Sequence, residues 1–339
     1  MTTTSNNDDT GWARASALSG TEANDHAATV DGIAAAIGSA VVGATEAARL
    51  ALVALLCGGH VLVEDVPGVG KTRLARSLAA SFGGSHRRVQ FTPDLLPSDL
   101  TGVNVFNQET REFDFHAGPV FANVVVADEI NRAAPKTQAA LLEVMEEGLV
   151  TVDGVRYAVP DPFIVVATQN PVELDGTYRL PEAQLDRFLM RLSLGYPDRN
   201  AEFAIMRGGG LPEPESLKGS ADAETLDRVR KAAARVHTAD TVYGYVRDIA
   251  EATRSHPRLR LGLSPRATAA LVGAARTYAL TRGRPYVIPE DVQRLAAPVW
   301  AHRLVLTPEA LVSGQTETDV LGEVLAGIAA PQPEQAVNR

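Results

Sequence analysis

One stretch, residues 63–72 (VEDVPGVGKT), restricts what this chain can fold into more than any other. A short apolar run precedes it at 61–63. A segment follows it, 72–82, in which Leu74, Ala75, Leu78 and Phe82 share one helical face, and Gly83 and Gly84 end that helix. A buried strand, a Gly-rich turn and a helix, in that order, bring backbone amides at a helix N-terminus close to phosphate oxygens. Lys71 is placed for the β- and γ-phosphates and the Thr72 hydroxyl for Mg²⁺. Pro67, Gly68, Val69, Gly70 and Arg73 complete the candidate nucleotide-binding segment. The full pattern has Gly five positions before Gly70, where this chain has Asp65. The bland alternative is an ordinary Gly-rich turn, and the strand before it and helix after it favour the phosphate reading.

The rest of the chain is consistent with such a unit. Residues 1–27 are rich in Thr, Ser, Asn and Asp without sustained period and predict a disordered acidic tail; residues 28–57 predict helix, stopped at Gly58 and Gly59. Strands are predicted at 88–91, 124–127, 163–167 and 189–194. Hairpins are predicted from alternation at 103–116 and from the Asp153-Gly154 turn between VTV and VRYAV. Pro135 and Gly148 frame a helix over 136–147. Strands alternating with helices make an α/β core with a mostly parallel sheet over 28–207. The Gly/Pro/Ser-rich 208–220 reads as a linker. Residues 221–330 show helical periods and no convincing strand, which predicts a small helical lid domain, and 331–339 read as a flexible C-terminus.

The apolar run at 124–127 ends in Asp128 and Glu129. In a parallel sheet this places both acids at the carboxyl edge, beside the phosphate turn. There Asp128 can hold the Mg²⁺ shell, through water, and Glu129 can polarise an attacking water. Asn170, in ATQN at the end of the next strand, is placed to orient that water or contact the γ-phosphate. On its own it would be read as an Asn-Pro turn, because Pro171 follows.

Taken together, these residues resemble the AAA+ ATPases and, within them, the MoxR family, from about residue 35 to 320. The likeness rests on VPGVGKT, GPVFANVVVADEINRAAPKTQAALLEVMEE at 118–147, ATQNP at 167–171, LPEAQLDRF at 180–188 and SPRA at 264–267. It implies a P-loop core with inserted β-hairpins, a helical lid, and a ring, usually a hexamer, with ATP between subunits. Carried over by position, Lys71 and Thr72 match the Walker A loop, Asp128 and Glu129 Walker B, and Asn170 sensor 1. Arg187 matches the arginine finger and Arg266 the lid's sensor 2. Without the resemblance, both arginines read as surface residues. Val42 and Gly43 match the adenine-contacting segment, whose usual following polar residue is here Ala44. Arg132 is a further arginine placed to face a neighbouring subunit.

Charge narrows the function classes. The net charge of −9 argues against a nucleic-acid coat or a cationic membrane-surface protein. A single cysteine, Cys57, fits a reducing, cytoplasmic setting, and no apolar stretch approaches the roughly 20 residues of a membrane span. Cys57, His60 and the other histidines read as packing or surface residues; no His/Cys spacing suggests zinc. The resemblance implies a Mg²⁺-dependent ATP hydrolase that remodels a partner protein, often one carrying a von Willebrand factor A domain. Its rivals are a nucleic-acid-stimulated motor, the motor subunit of a metal chelatase, and a non-hydrolysing ATP switch.

Overall fold

The computed structural model describes residues 17–41, 43–66, 68–169, 178, 180–197, 199–207, 212–217 and 221–332; Val42, Pro67 and Asn170 lie outside the described residues. Helix α1 spans Gly20–Ala40 and α2 Thr45–Leu56. The predicted tail over 1–27 therefore ends too late. Ser19 and Glu22 form a capping box that starts α1, and Ala23, Ala27, Val30, Ile33, Ala34 and Ile37 line its buried face. Alanine dominates the first turns of that face, so no conspicuous apolar run marks the helix in the sequence. The single helical stretch predicted over 28–57 is also two helices, broken around Gly43, whose φ is 77°.

Strand β1 (Val61–Glu64) leads through the Gly-rich turn into α3 (Lys71–Ser81) and β2 (His86–Gln90). After α4 (Pro97–Thr101) come a first hairpin, β3 (Gly102–Asn107) with β4 (Glu112–Ala117), then β5 (Val124–Asp128) and α5 (Pro135–Glu147). A second hairpin, β6 (Leu149–Val152) with β7 (Val155–Ala158), precedes β8 (Ile164–Gln169), α6 (Glu182–Leu185), β9 (Met190–Leu192) and α7 (Arg199–Met206). The central sheet runs β2-β5-β8-β1-β9 with every pairing parallel. Alternate residues enter two separate cores. Val61, Val63, Val124, Val126, Ile164 and Val166 join one face; Leu62, Val125, Ala127, Val165 and Ala167 join the other. Burial on both faces is why these strands read as unbroken apolar runs.

The lid comprises α8 (Ala223–Ala234), α9 (Asp240–Arg254), β10 (Leu259–Leu261), α10 (Pro265–Thr281), α11 (Pro289–Trp300), β11 (Val305–Leu306), α12 (Pro308–Val312) and α13 (Glu317–Gly327). It is not purely helical as predicted, because β10 and β11 pair antiparallel. Strands this short leave no period to read. Lid side chains such as Leu271, Leu295 and Trp300 share one buried cluster with Ile33 and Leu52, so lid and core are packed together. Of the predicted linker, 212–217 are described and lie on the core: Pro214 and Leu217 are buried and Arg76 pairs with Glu215 at 2.6 Å. Among the described residues, no helix is long and apolar enough to cross a membrane.

Two buried histidines hold the core neutral. His60 Nδ1 accepts from the Val165 amide and its Nε2 lies 2.9 Å from the Met145 carbonyl, so the neutral tautomer protonated at Nε2 satisfies both atoms. Burial pushes His60 down to about 4. Burial, and then the Arg303 charge, push His302 down to about 3. Between these values and the ordinary 6.5 the unfolded chain binds more protons than the folded one, so stability is lost as pH falls below about 6.5. The loss is up to about 1.4 kcal/mol per pH unit for each histidine. The urea midpoint should drop clearly between pH 7 and pH 5.5, and less steeply in a His302→Gln protein; a midpoint flat over that range would contradict this account.

Candidate nucleotide site

Because the sheet is parallel, the carboxyl ends of β1, β5 and β8 open on the same edge, with Glu64 in register with Gln169 and Ala127 with Ala167. Two of the sequence-predicted groups meet there, the phosphate turn with Lys71 and the acids Asp128 and Glu129. The turn after β1 carries Gly68 at φ 87° and Gly70 at φ 99°, left-handed backbone that suits glycine. Gly70 caps α3, so the amides of Lys71, Thr72 and Arg73 form the first turn of a helix, where they lack partners within the helix. Lys71 Nζ donates to the Asp65 carbonyl at 2.7 Å. Burial lowers the Lys71 pKa, and the charges of Asp65, Asp128 and Glu129 oppose that shift. Cation and acids thus share one electrostatic neighbourhood.

Asp65 replaces the expected glycine for a local reason. Its carboxylate accepts from the Ser193 hydroxyl at 3.1 Å and from the Leu194 and Gly195 amides, tying the phosphate turn to the chain leaving β9. Glycine could not make that connection.

Asp128 is buried and Glu129 follows it with φ 54°, ψ 49°. This left-handed conformation is uncommon outside glycine, and a hydrogen bond fixes it: the Glu129 amide donates to Thr168 Oγ1 at 3.0 Å. The same hydroxyl donates to Asp128 Oδ1 at 3.1 Å, so one threonine on β8 aligns both acids. Arg88 Nε lies 2.5 Å from Asp128 Oδ2, and Glu129 Oε2 accepts from Gln90 Nε2 at 2.8 Å and Arg132 Nη1 at 2.9 Å. Arg132 thus meets Glu129 of its own chain. Thr168, Arg88 and Gln90 were not singled out from the sequence; Thr168 lies inside ATQN, but nothing in spacing flags the two β2 residues.

The Arg73 side chain turns away from the phosphate turn toward α1 and the 212–217 segment. Its guanidinium donates to the Ala40 carbonyl at 2.6 Å and the Pro212 carbonyl at 2.8 Å, so any nucleotide contact falls to its backbone amide. Gly43 borders a cleft of about 250 Å³ with Ala44, Leu50, Leu194 and Pro298, between α2, the end of β9 and the lid.

Arg187 and Arg266 are brought together, but elsewhere. Arg187 Nη2 lies 2.9 Å from Glu146 Oε2, and Arg266 Nη1 lies 3.1 Å from Glu146 Oε1. Their cleft, about 230 Å³, is also lined by Gly58, Gly59 and His60, which precede β1. The phosphate turn follows β1. The arginine pair and the phosphate turn therefore lie toward opposite ends of β1.

The model of the "ATPase family associated with various cellular activities (AAA)" matches residues 60–190, and that of the "AAA lid domain" matches 251–324. Fold and site define an AAA ATPase. A solved crystal structure of a Cytophaga hutchinsonii protein assigned as an ATPase superposes with a TM-score of 0.84 at 34% identity, covering 91% of this chain and 97% of that one. The chain is 48% identical over 302 residues to the uncharacterized protein YeaC of Bacillus subtilis, covering 89% of this chain and 94% of the relative. It is 43% identical over 301 residues to Chaperone MoxR1 of Mycobacterium tuberculosis, covering 86% and 80%. The chain belongs to the MoxR family of AAA ATPases and is an ATP-hydrolysing enzyme.

Proposed function

We propose that the protein works as an oligomeric ring, hexameric by resemblance, in which each ATP lies between two subunits and its hydrolysis remodels a protein partner. The observation that carries this reading is the separation of the two half-sites. A phosphate turn toward one end of β1 and a pair of arginines toward the other leave each subunit incomplete for its own nucleotide. One subunit's Lys71 and α3 amides bind the phosphates, and Gly43, with Val42, borders the adenine. The Thr72 hydroxyl and the Asp128 carboxylate are hard oxygen donors that suit Mg²⁺. Mg²⁺ held there, through water at Asp128, would screen the phosphate charge. Glu129 activates the water and Asn170 orients it. Arg187 and Arg266 of the neighbour stabilise charge on the γ-phosphate.

A protein substrate is favoured over nucleic acid by charge. The chain carries −9 overall, and the second hairpin's tip, residues 152–157, has Arg156 as its one cation. The name of the M. tuberculosis relative points the same way. A Glu129→Gln form loaded with Mg·ATP should retain a specific protein on pull-down, possession of a von Willebrand factor A domain being the first property to examine. At physiological salt, single-stranded DNA should change ATP turnover less than twofold. A several-fold stimulation abolished by Arg156→Ala would establish the nucleic-acid motor instead.

A further inference from the structure

Arg187 is flanked by two residues that the lid holds directly. Arg303, in the short turn after α11, has a side chain only 5% exposed. Its Nη1 donates to the Val299 carbonyl at 2.8 Å, and its Nη2 reaches the Asp186 carbonyl at 3.1 Å and the Phe188 carbonyl at 3.0 Å. Its Nε stands 2.8 Å from Asp186 Oδ1, and the neighbouring His302 Nε2 lies 3.0 Å from the same Phe188 carbonyl. One planar lid cation therefore grips the chain immediately before and after Arg187, while Arg187 itself extends to Glu146 on the core.

We infer that Arg303 is a positioning residue for Arg187: by clamping Asp186 and Phe188 to the lid, it fixes the direction in which Arg187 is offered and makes that direction depend on where the lid sits. A buried guanidinium is costly unless it is paired, and here Nη2 bonds two carbonyls of the 186–188 segment, Nη1 bonds the Val299 carbonyl, and the Asp186 carboxylate lies at ion-pair distance from Nε. A planar fork that bonds two carbonyls of one segment while its charge faces the Asp186 carboxylate is a property of arginine and not of lysine. The inference rests on the composite-site reading above, in which Arg187 serves the neighbouring subunit.

The test uses the full-length chain with Arg303→Met, and Arg303→Lys as the variant that keeps a charge opposite Asp186. Both should bind a fluorescent ATP analogue within twofold of the parent, because the phosphate turn lies toward the other end of β1. Both should lose about 10²-fold in turnover, the scale of a misplaced catalytic group. Mixing either with Lys71→Ala should restore turnover, since intact phosphate turns then meet intact arginines. Mixing either with Arg187→Ala should not, because both partners lack a competent donor. A merely structural defect would weaken ATP binding together with turnover and be rescued by neither partner, and that pattern overturns the inference. So does parental turnover in both variants, or rescue by Arg187→Ala rather than by Lys71→Ala. The Arg187→Ala and Lys71→Ala pair is the control. If it recovers, the Arg303 mixtures judge Arg303 alone; if it fails within proven mixed oligomers, the composite site is wrong and the role of Arg303 falls with it.

Discussion

Alanine at Arg187 should lower the ATP turnover of the assembled protein by ~10³- to 10⁵-fold, the contribution of an arginine supplied across an interface. Unfolding would not account for such a loss. The Arg187–Glu146 pair is about one-third exposed on both sides, and ion pairs of that kind contribute ~0–1 kcal/mol. ATP affinity of the isolated subunit should not change, because Arg187 and the phosphate turn lie toward opposite ends of β1. Steady-state phosphate release beside an equilibrium binding isotherm separates the two effects. A matched loss of binding and turnover would place Arg187 in its own subunit's site.

Glutamine at Glu129 should lower kcat by about 10²- to 10⁴-fold, the usual contribution of a positioned general base, and leave Mg·ATP binding near the parent value. The substitution keeps the length of the side chain and leaves the backbone bond from residue 129 to Thr168 in place. Asp128 keeps its own bonds to Thr168 and Arg88, so the proposed metal ligand is undisturbed. What disappears is the carboxylate that accepts the proton. Single-turnover hydrolysis measured at saturating ATP reports this step directly, and a parental rate would remove Glu129 from the mechanism.

The sequence carried those elements whose local signal is also their tertiary role. Residues 124–127 are apolar without interruption because the sheet buries both faces, and the strand observed there is β5. The Asp153-Gly154 turn was legible because both residues adopt positive φ, at 50° and 82°, as a tight hairpin turn requires. The start of α1 was not legible, since alanines supply its first buried positions. Nor was the joint capture of Arg187 and Arg266 by Glu146, which depends on α5, the end of α6 and the lid converging in space. The Asp65 carboxylate, a defect by pattern, is explained by acceptor demand more than a hundred residues later, at 193–195. The partners of the Arg73 side chain, the Ala40 and Pro212 carbonyls, were likewise not legible, because they lie far away in the sequence.

The composite site is tested most directly by mixing Arg187→Ala with Lys71→Ala protein and following phosphate release as total concentration rises. Each variant alone should be nearly inactive, the first for want of a donated arginine, the second for want of a usable phosphate turn. Mixed rings contain interfaces that join the intact turn of the first to the intact arginine of the second. Turnover should therefore reappear on mixing and grow with concentration, and ~10³-fold or more per complete interface makes even a minority visible. No recovery, in oligomers shown by native mass spectrometry to contain both variants, would mean that ATP is not hydrolysed between subunits in this protein.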